Sequence, residues 1–279
     1  MIKLNINITA FSAVAAGLLL TVALPFVSGG NGVTQEKGNV INFSAQFDDS
    51  TTGTAIGSLK DASKHIGRGE RALIKITSPG GSVFAGKGLQ RQMESGLPVD
   101  TYVPVTAVSM GAITFMQGER RYVEPDAIIL FHGARLGKSG STQPILELKL
   151  KILESKEFRE ALQMDLRSGG RGSEIVNTIP IEHLAYADKL AAAVLKKGYE
   201  VVREDLKSDL DSLSAINASL LGVFQKAIDS SNGKLTVEKV KHDIFRDFTE
   251  DVVLTGQQVY DLGLATNLGA PDEADYEAK

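Results

Sequence analysis

Ala107-Val108-Ser109-Met110-Gly111-Ala112 joins a strand-like run, Asp100 to Thr106, to the small and apolar stretch Gly111-Ala112-Ile113-Thr114-Phe115-Met116, which reads as a buried helix. A serine at such a junction stands at a helix N-terminus, where partial positive charge and unbonded N–H groups collect. Upstream, Ala72-Leu73-Ile74-Lys75-Ile76-Thr77 reads as a strand that delivers the chain into Ser78-Pro79-Gly80-Gly81-Ser82, and downstream another apolar run ends at His132. A serine hydroxyl needs a base to take its proton, and the oxyanion formed on attack needs N–H donors aimed at it. Ser109, His132 and the Gly80-Gly81 turn are candidates for those three parts. Taken singly they read as an N-cap, a structural histidine and a turn. Their order along the chain is what points to nucleophilic hydrolysis.

Around this centre, short strands alternate with helices. Val40 to Phe47 alternates as a strand does, and Asp48-Asp49-Ser50-Thr51 supplies helix caps before a helical stretch ending near Gly67. Ala85, Leu89 and Met93 recur at helical spacing, and Gly96 and Pro98 end that helix. The alternation predicts an α/β fold with its site on loops at strand ends.

Composition narrows the function classes. A chain of 279 residues with 43% hydrophobic side chains buries a substantial core. A net charge of −4, with dispersed basic residues, argues against nucleic-acid binding. The absence of cysteine excludes disulfides, thiolate metal sites and a cysteine nucleophile. His65, His132, His183 and His242 are too scattered in sequence to suggest a metal site, and no cofactor is implied.

The first 30 residues differ from the rest. No charged side chain occurs between Lys3 and Glu36, and residues 8–27 are almost wholly apolar or small. The stretch 1–30 is therefore expected to be a signal peptide or an N-terminal membrane anchor, which puts the catalytic domain outside the cytoplasm. The Gly- and Asn-containing residues 31–38 read as a linker.

Two loops carry a family resemblance. Ile76-Thr77-Ser78-Pro79-Gly80-Gly81-Ser82-Val83-Phe84-Ala85-Gly86 and Ala107-Val108-Ser109-Met110-Gly111-Ala112 resemble the site loops of the Clp protease proteolytic subunit. Its fold is shared with signal peptide peptidase A-like proteases and crotonases. The resemblance implies a repeated β-β-α superhelical core, a serine endopeptidase acting on peptide or protein substrates, and self-association into a homo-oligomer. It makes Ser109 the nucleophile, His132 the base, and Gly80, Gly81 and Met110 the sources of oxyanion-hole N–H groups. Asp247 to Ala265 resembles the family's C-terminal stretch. Counting back from Leu254-Thr255 points to Asp247 as the acid, with Asp251 the alternative and Asp243 a weaker third.

The chain departs from that pattern between His132 and Asp247, where residues 137–238 form an enlarged helical insertion. Pro144 to Arg167 reads as one helical segment, and Ile181 through about Ala227 as another, broken near Gly198. The expected organisation is a catalytic core over 39–136 and 239–272, the insertion at 137–238, and a tail at 273–279. The exported leader also argues against a cytosolic unfolding ATPase as partner. It raises a rival scheme, the Ser-Lys dyad of the signal peptide peptidase A type, for which Lys149 and Lys151 fall in the right region; burial lowers a lysine's pKa toward that of a base. A non-proteolytic, crotonase-like binding protein is the reading from another class, because oxyanion holes also stabilise enolates.

Overall fold

The computed structural model describes residues 32–36, 38–65, 67, 70–95, 97–136, 140–167, 175, 178–231 and 233–276. The leader expected over 1–30 lies outside the described residues. Among the described residues no helix is long and apolar enough to cross a membrane.

The fold is α/β. One six-stranded sheet has the order β1 (Gly32–Gln35), β2 (Val40–Ser44), β3 (Ala72–Ile76), β4 (Val99–Val103), β6 (Arg121–Val123), β9 (Asn267–Leu268). Only β1 runs antiparallel to its neighbour; the other pairings are parallel. Parallel strands are covered on both faces, which is why β2 and β3 bury nearly continuous apolar runs, with Ile41, Phe43, Leu73, Ile74 and Ile76 fully enclosed. A second sheet has the order β5 (Thr106–Val108), β7 (Ile128–Phe131), β8 (Val252–Thr255), with β7 and β8 antiparallel. The run expected as one strand from Asp100 to Thr106 is thus two, parted at Pro104-Val105, where proline has no N–H to continue a ladder.

Helices α1 (Asp49–His65), α2 (Val83–Glu94) and α3 (Met110–Gln117) follow the strands as the sequence pattern predicts. Asp48 accepts from the Thr51 N–H at 2.8 Å ahead of the first. The segment read as one helix over 144–167 divides into α4 (Gln143–Glu154) and α5 (Lys156–Arg167). Ser155 causes the break: its extended backbone ends α4, and its hydroxyl accepts from the Phe158 N–H at 3.1 Å to start α5. After α6 (Leu184–Lys197), Gly198 takes φ 92°, and α7 (Tyr199–Gly222) and α8 (Gln225–Ser230) follow.

Residues 137–238 contribute to two clusters. Leu146, Leu213, Leu220, Phe224 and Ala227 enter the main core, whereas Leu153, Phe158, Leu162, Leu190 and Val202 build a second helical core of their own. Both ends of the described chain also differ from the simplest sequence reading. Gly32–Gln35, inside the expected linker, pairs as a strand along the open edge of β2. Tyr276, inside the expected tail, is 1% exposed and donates to Asp100 at 2.8 Å. The first is a local hairpin with β2, whereas the Tyr276 partner lies 176 positions away, so local composition carries no trace of that contact.

Candidate active site

Ser78 joins the two sheets and carries the glycine turn with it. Its N–H donates to the Thr106 carbonyl at 3.1 Å, and its carbonyl accepts from the Val108 N–H at 2.9 Å. Its buried hydroxyl donates to the Ala45 carbonyl at 2.6 Å and accepts from the Gly80 N–H at 3.1 Å. Phe47 clamps the other side, donating to the Gly80 carbonyl and accepting from the Ser82 N–H, both at 2.8 Å. Gly80 adopts φ 90°, and a Cβ there would lie 2.6 Å from the Ser109 Cβ. Only glycine fits so close to the serine.

Ser109 sits between β5 and α3 with φ 54° and ψ −118°. A non-glycine residue in such a conformation costs on the order of 1–3 kcal/mol and is held by its surroundings. Here the Ser109 N–H donates to the Leu130 carbonyl at 2.8 Å, and its carbonyl accepts from the Ile113 N–H at 3.0 Å. At this strained turn the hydroxyl does not cap α3. Among the described residues the N–H groups of Gly81 and Met110 have no intramolecular acceptor. They line one pocket of about 120 Å³ together with Ser109, His132, Arg135 and Leu220. The Gly80 N–H, by contrast, is engaged by Ser78. Two free donors in one pocket with a serine hydroxyl form the arrangement that stabilises an oxyanion.

His132 follows β7 and is partly buried. Its Nδ1 lies 2.6 Å from the Gly133 carbonyl, so Nδ1 carries the proton in that contact and Nε2 is left as an acceptor. Burial lowers its pKa below 6.5; the Gly133 contact and the charge of Asp251 oppose that shift, and Arg135 adds to it. The ring is therefore neutral near pH 7, as a proton acceptor must be. The backbone after it is pinned by the Ala134 N–H, which donates to Asn217 Oδ1 at 2.8 Å. Asn217 is 1% exposed on α7 and in turn donates to Gln143 at 3.0 Å.

The two candidate acids lie in different settings. Phe131 pairs with Val252 at the end of the β7–β8 ladder, His132 and Asp251 are the next residues on either side, and the charge of Asp251 acts on His132. Asp251 forms an ion pair with Arg135. Asp247 accepts from or shares a proton with His242 Nδ1 at 2.9 Å and has Lys241 at 4.0 Å, both away from His132's described contacts. Asp247 also belongs to three successive residues with positive φ, Arg246 (44°), Asp247 (51°) and Phe248 (66°). Phe248 presses on Gly133, where an added Cβ would meet the Phe248 Cβ at 2.7 Å. The residue after His132 must be glycine for this turn to seat.

Lys149 and Lys151 line other clefts than the Ser109 pocket. Lys149 Nζ donates to Ser141 at 3.2 Å and lies 5.8 Å from the Tyr186 ring centre. Burial, with Lys189 nearby, lowers its pKa. Lys151 is exposed. Sequence reasoning missed Arg135, Asn217 and Leu220. Arg135 was in plain view three residues after His132, but the two α7 residues reach the site from across the chain and carry no local signal.

Residues 37–167, which include Gly80, Gly81, Ser109, Met110 and His132, match the family model described as Clp protease. No curated protein matches the chain. The α/β fold and this match make residues 37–167 similar to the Clp proteases.

Proposed function

We propose that the chain is a serine endopeptidase in which Ser109 Oγ attacks the carbonyl carbon of a peptide bond. His132 takes the hydroxyl proton as the C–O bond forms and gives it to the leaving amine as the C–N bond breaks. The N–H groups of Gly81 and Met110 receive the oxyanion. Asp251 orients the imidazole; its place beside the Phe131–Val252 pair and its charge acting on His132 favour it over Asp247. Water then hydrolyses the acyl-serine by the same steps in reverse order. The observation that carries this reading is the strained Ser109 turn with two free N–H donors and His132 in one pocket.

The Clp protease family implies a peptidase acting on protein substrates; that the chain assembles with copies of itself is part of the proposal. So is the role of residues 1–30 as an export signal or membrane anchor, which fractionation of cells carrying the full chain with a C-terminal tag tests directly. For the chemistry, the test is labelling of the full chain with a fluorophosphonate, followed by peptide mapping. The label is expected on Ser109 and absent from Ser109→Ala. A label that persists in that variant overturns the assignment.

A further inference from the structure

Arg135 stands in the Ser109 pocket and at the same time pairs with Asp251, the acid proposed to serve His132. Its Nη2 pairs with Asp251 Oδ1, while the His132 Nδ1 proton is directed at the Gly133 carbonyl, 2.6 Å away. The imidazole is thus oriented by its own neighbour's backbone, and the Asp251 carboxylate is occupied by Arg135. Arg135 and Asp251 are about half exposed, at 45% and 43% of their side-chain surface. Ion pairs so exposed are weak, so a competing anion exchanges for one partner at small cost. The Asp251 backbone, by contrast, is set on both sides: Val252 is laddered to Phe131, and Phe248 is seated against Gly133. What is free to change is the side-chain pairing.

We propose that Arg135 is a substrate-gated positioning residue: it withholds Asp251 from His132 in the resting site and releases it when an acidic group of the bound peptide, next to the scissile bond, pairs with Arg135 instead. The guanidinium fork suits this exchange, since it binds one carboxylate as readily as another. The substrate class follows. Peptides with Asp or Glu beside the cleaved bond are turned over faster because they complete the catalytic set, not only because they bind more tightly. This rests on the serine peptidase reading above.

The experiment compares the full chain with Arg135→Gln and Arg135→Lys. Each is treated with a fluorophosphonate, and with two diphenyl phosphonates that differ only in a Glu or a Gln side chain beside the reactive phosphorus. Wild-type protein is expected to react with the Glu probe about fivefold faster at saturation, a factor of the size an exposed ion pair can impose. Arg135→Gln is expected to react faster than wild type with the neutral probe and to lose the preference. Arg135→Lys is expected to keep most of it, and Asp251→Asn to abolish the gain made by Arg135→Gln. A purely structural role for Arg135 would slow every reaction instead. Equal or slower reaction of Arg135→Gln with the neutral probe, or a Glu preference that survives it, overturns the gating proposal. Failure of the fluorophosphonate to label any form at Ser109 overturns the peptidase reading itself.

Discussion

His132 and Asp251 each lie one residue beyond the Phe131–Val252 pair that ends the antiparallel β7–β8 ladder, and the charge of Asp251 acts on His132. The two residues are 119 positions apart in the chain, and the pairing of two short strands is what unites them.

From that register, Asp251→Asn is expected to lower kcat by on the order of 10³- to 10⁴-fold, as loss of a histidine-orienting carboxylate does. Asp247→Asn, which removes a partner of the exposed His242, is expected to stay within about threefold of wild type. Steady-state peptide hydrolysis by the two variants checks this, and the reverse order would restore Asp247 as the acid.

The lysines are expected to be dispensable for the chemistry. Lys149→Ala loses a bond to Ser141 and a contact with Tyr186, and Lys151→Ala loses only exposed surface. Both variants should label at Ser109 at rates within about threefold of wild type, given the small cost of such surface changes. Loss of labelling in either would favour the Ser-Lys scheme.

Glycine at position 80 is a steric requirement of the Ser109 turn. In Gly80→Ala the new Cβ would sit 2.6 Å from the Ser109 Cβ on a backbone with φ 90°. The variant is expected to lose at least about 1–3 kcal/mol of stability and nearly all fluorophosphonate reactivity. Thermal unfolding and labelling, measured side by side, read the two effects.

The pH dependence follows from His132, whose pKa in the folded chain lies below the ordinary 6.5, chiefly through burial. The acid limb of kcat/KM is therefore expected to have its midpoint below 6.5. Linkage gives the sign for stability. The unfolded chain binds this proton before the folded one does, so the contribution is intact above about pH 6.5 and declines as pH falls from there toward the folded pKa. A midpoint above 6.5 in the rate profile would contradict the assignment of His132 as the base.

Asp100 tests the scaffold apart from the site. It is fully buried and is bound by Arg71 at 2.6 and 2.7 Å, by Arg120 and by Tyr276. Burial alone would raise its pKa, but these bonds hold it below the usual carboxylate value. Asp100→Ala leaves Arg71 without its buried partner and is expected to cost about 3–5 kcal/mol, seen as a large fall in Tm. Folded protein at low temperature should still label at Ser109.

Much of the core was legible because its signals are local. The apolar runs that became β2 and β3, the Asp48 cap before α1 and the small residues of α3 each state their structure within a few positions. The Pro79-Gly80-Gly81 turn and Ser109 were legible as a pair because each needs a backbone that few residues tolerate. The acid was harder to read. Asp247 and Asp251 stand four residues apart in one segment, and the positive-φ turn over Arg246, Asp247 and Phe248 gives them different surroundings.

By itself, the sequence determined an α/β chain with a serine at a strand-to-helix junction, a glycine turn before it and a histidine after it, because strand, helix and turn propensities act over short spans. Tertiary structure alone decided the rest. Strand pairing brought Asp251 next to the end of β7 that leads into His132, the α7 residues Asn217 and Leu220 closed on the site, and Ser78 engaged the Gly80 N–H while that of Gly81 stayed free. Each of these depends on which distant backbone comes to lie alongside, and that is set by packing of the whole core.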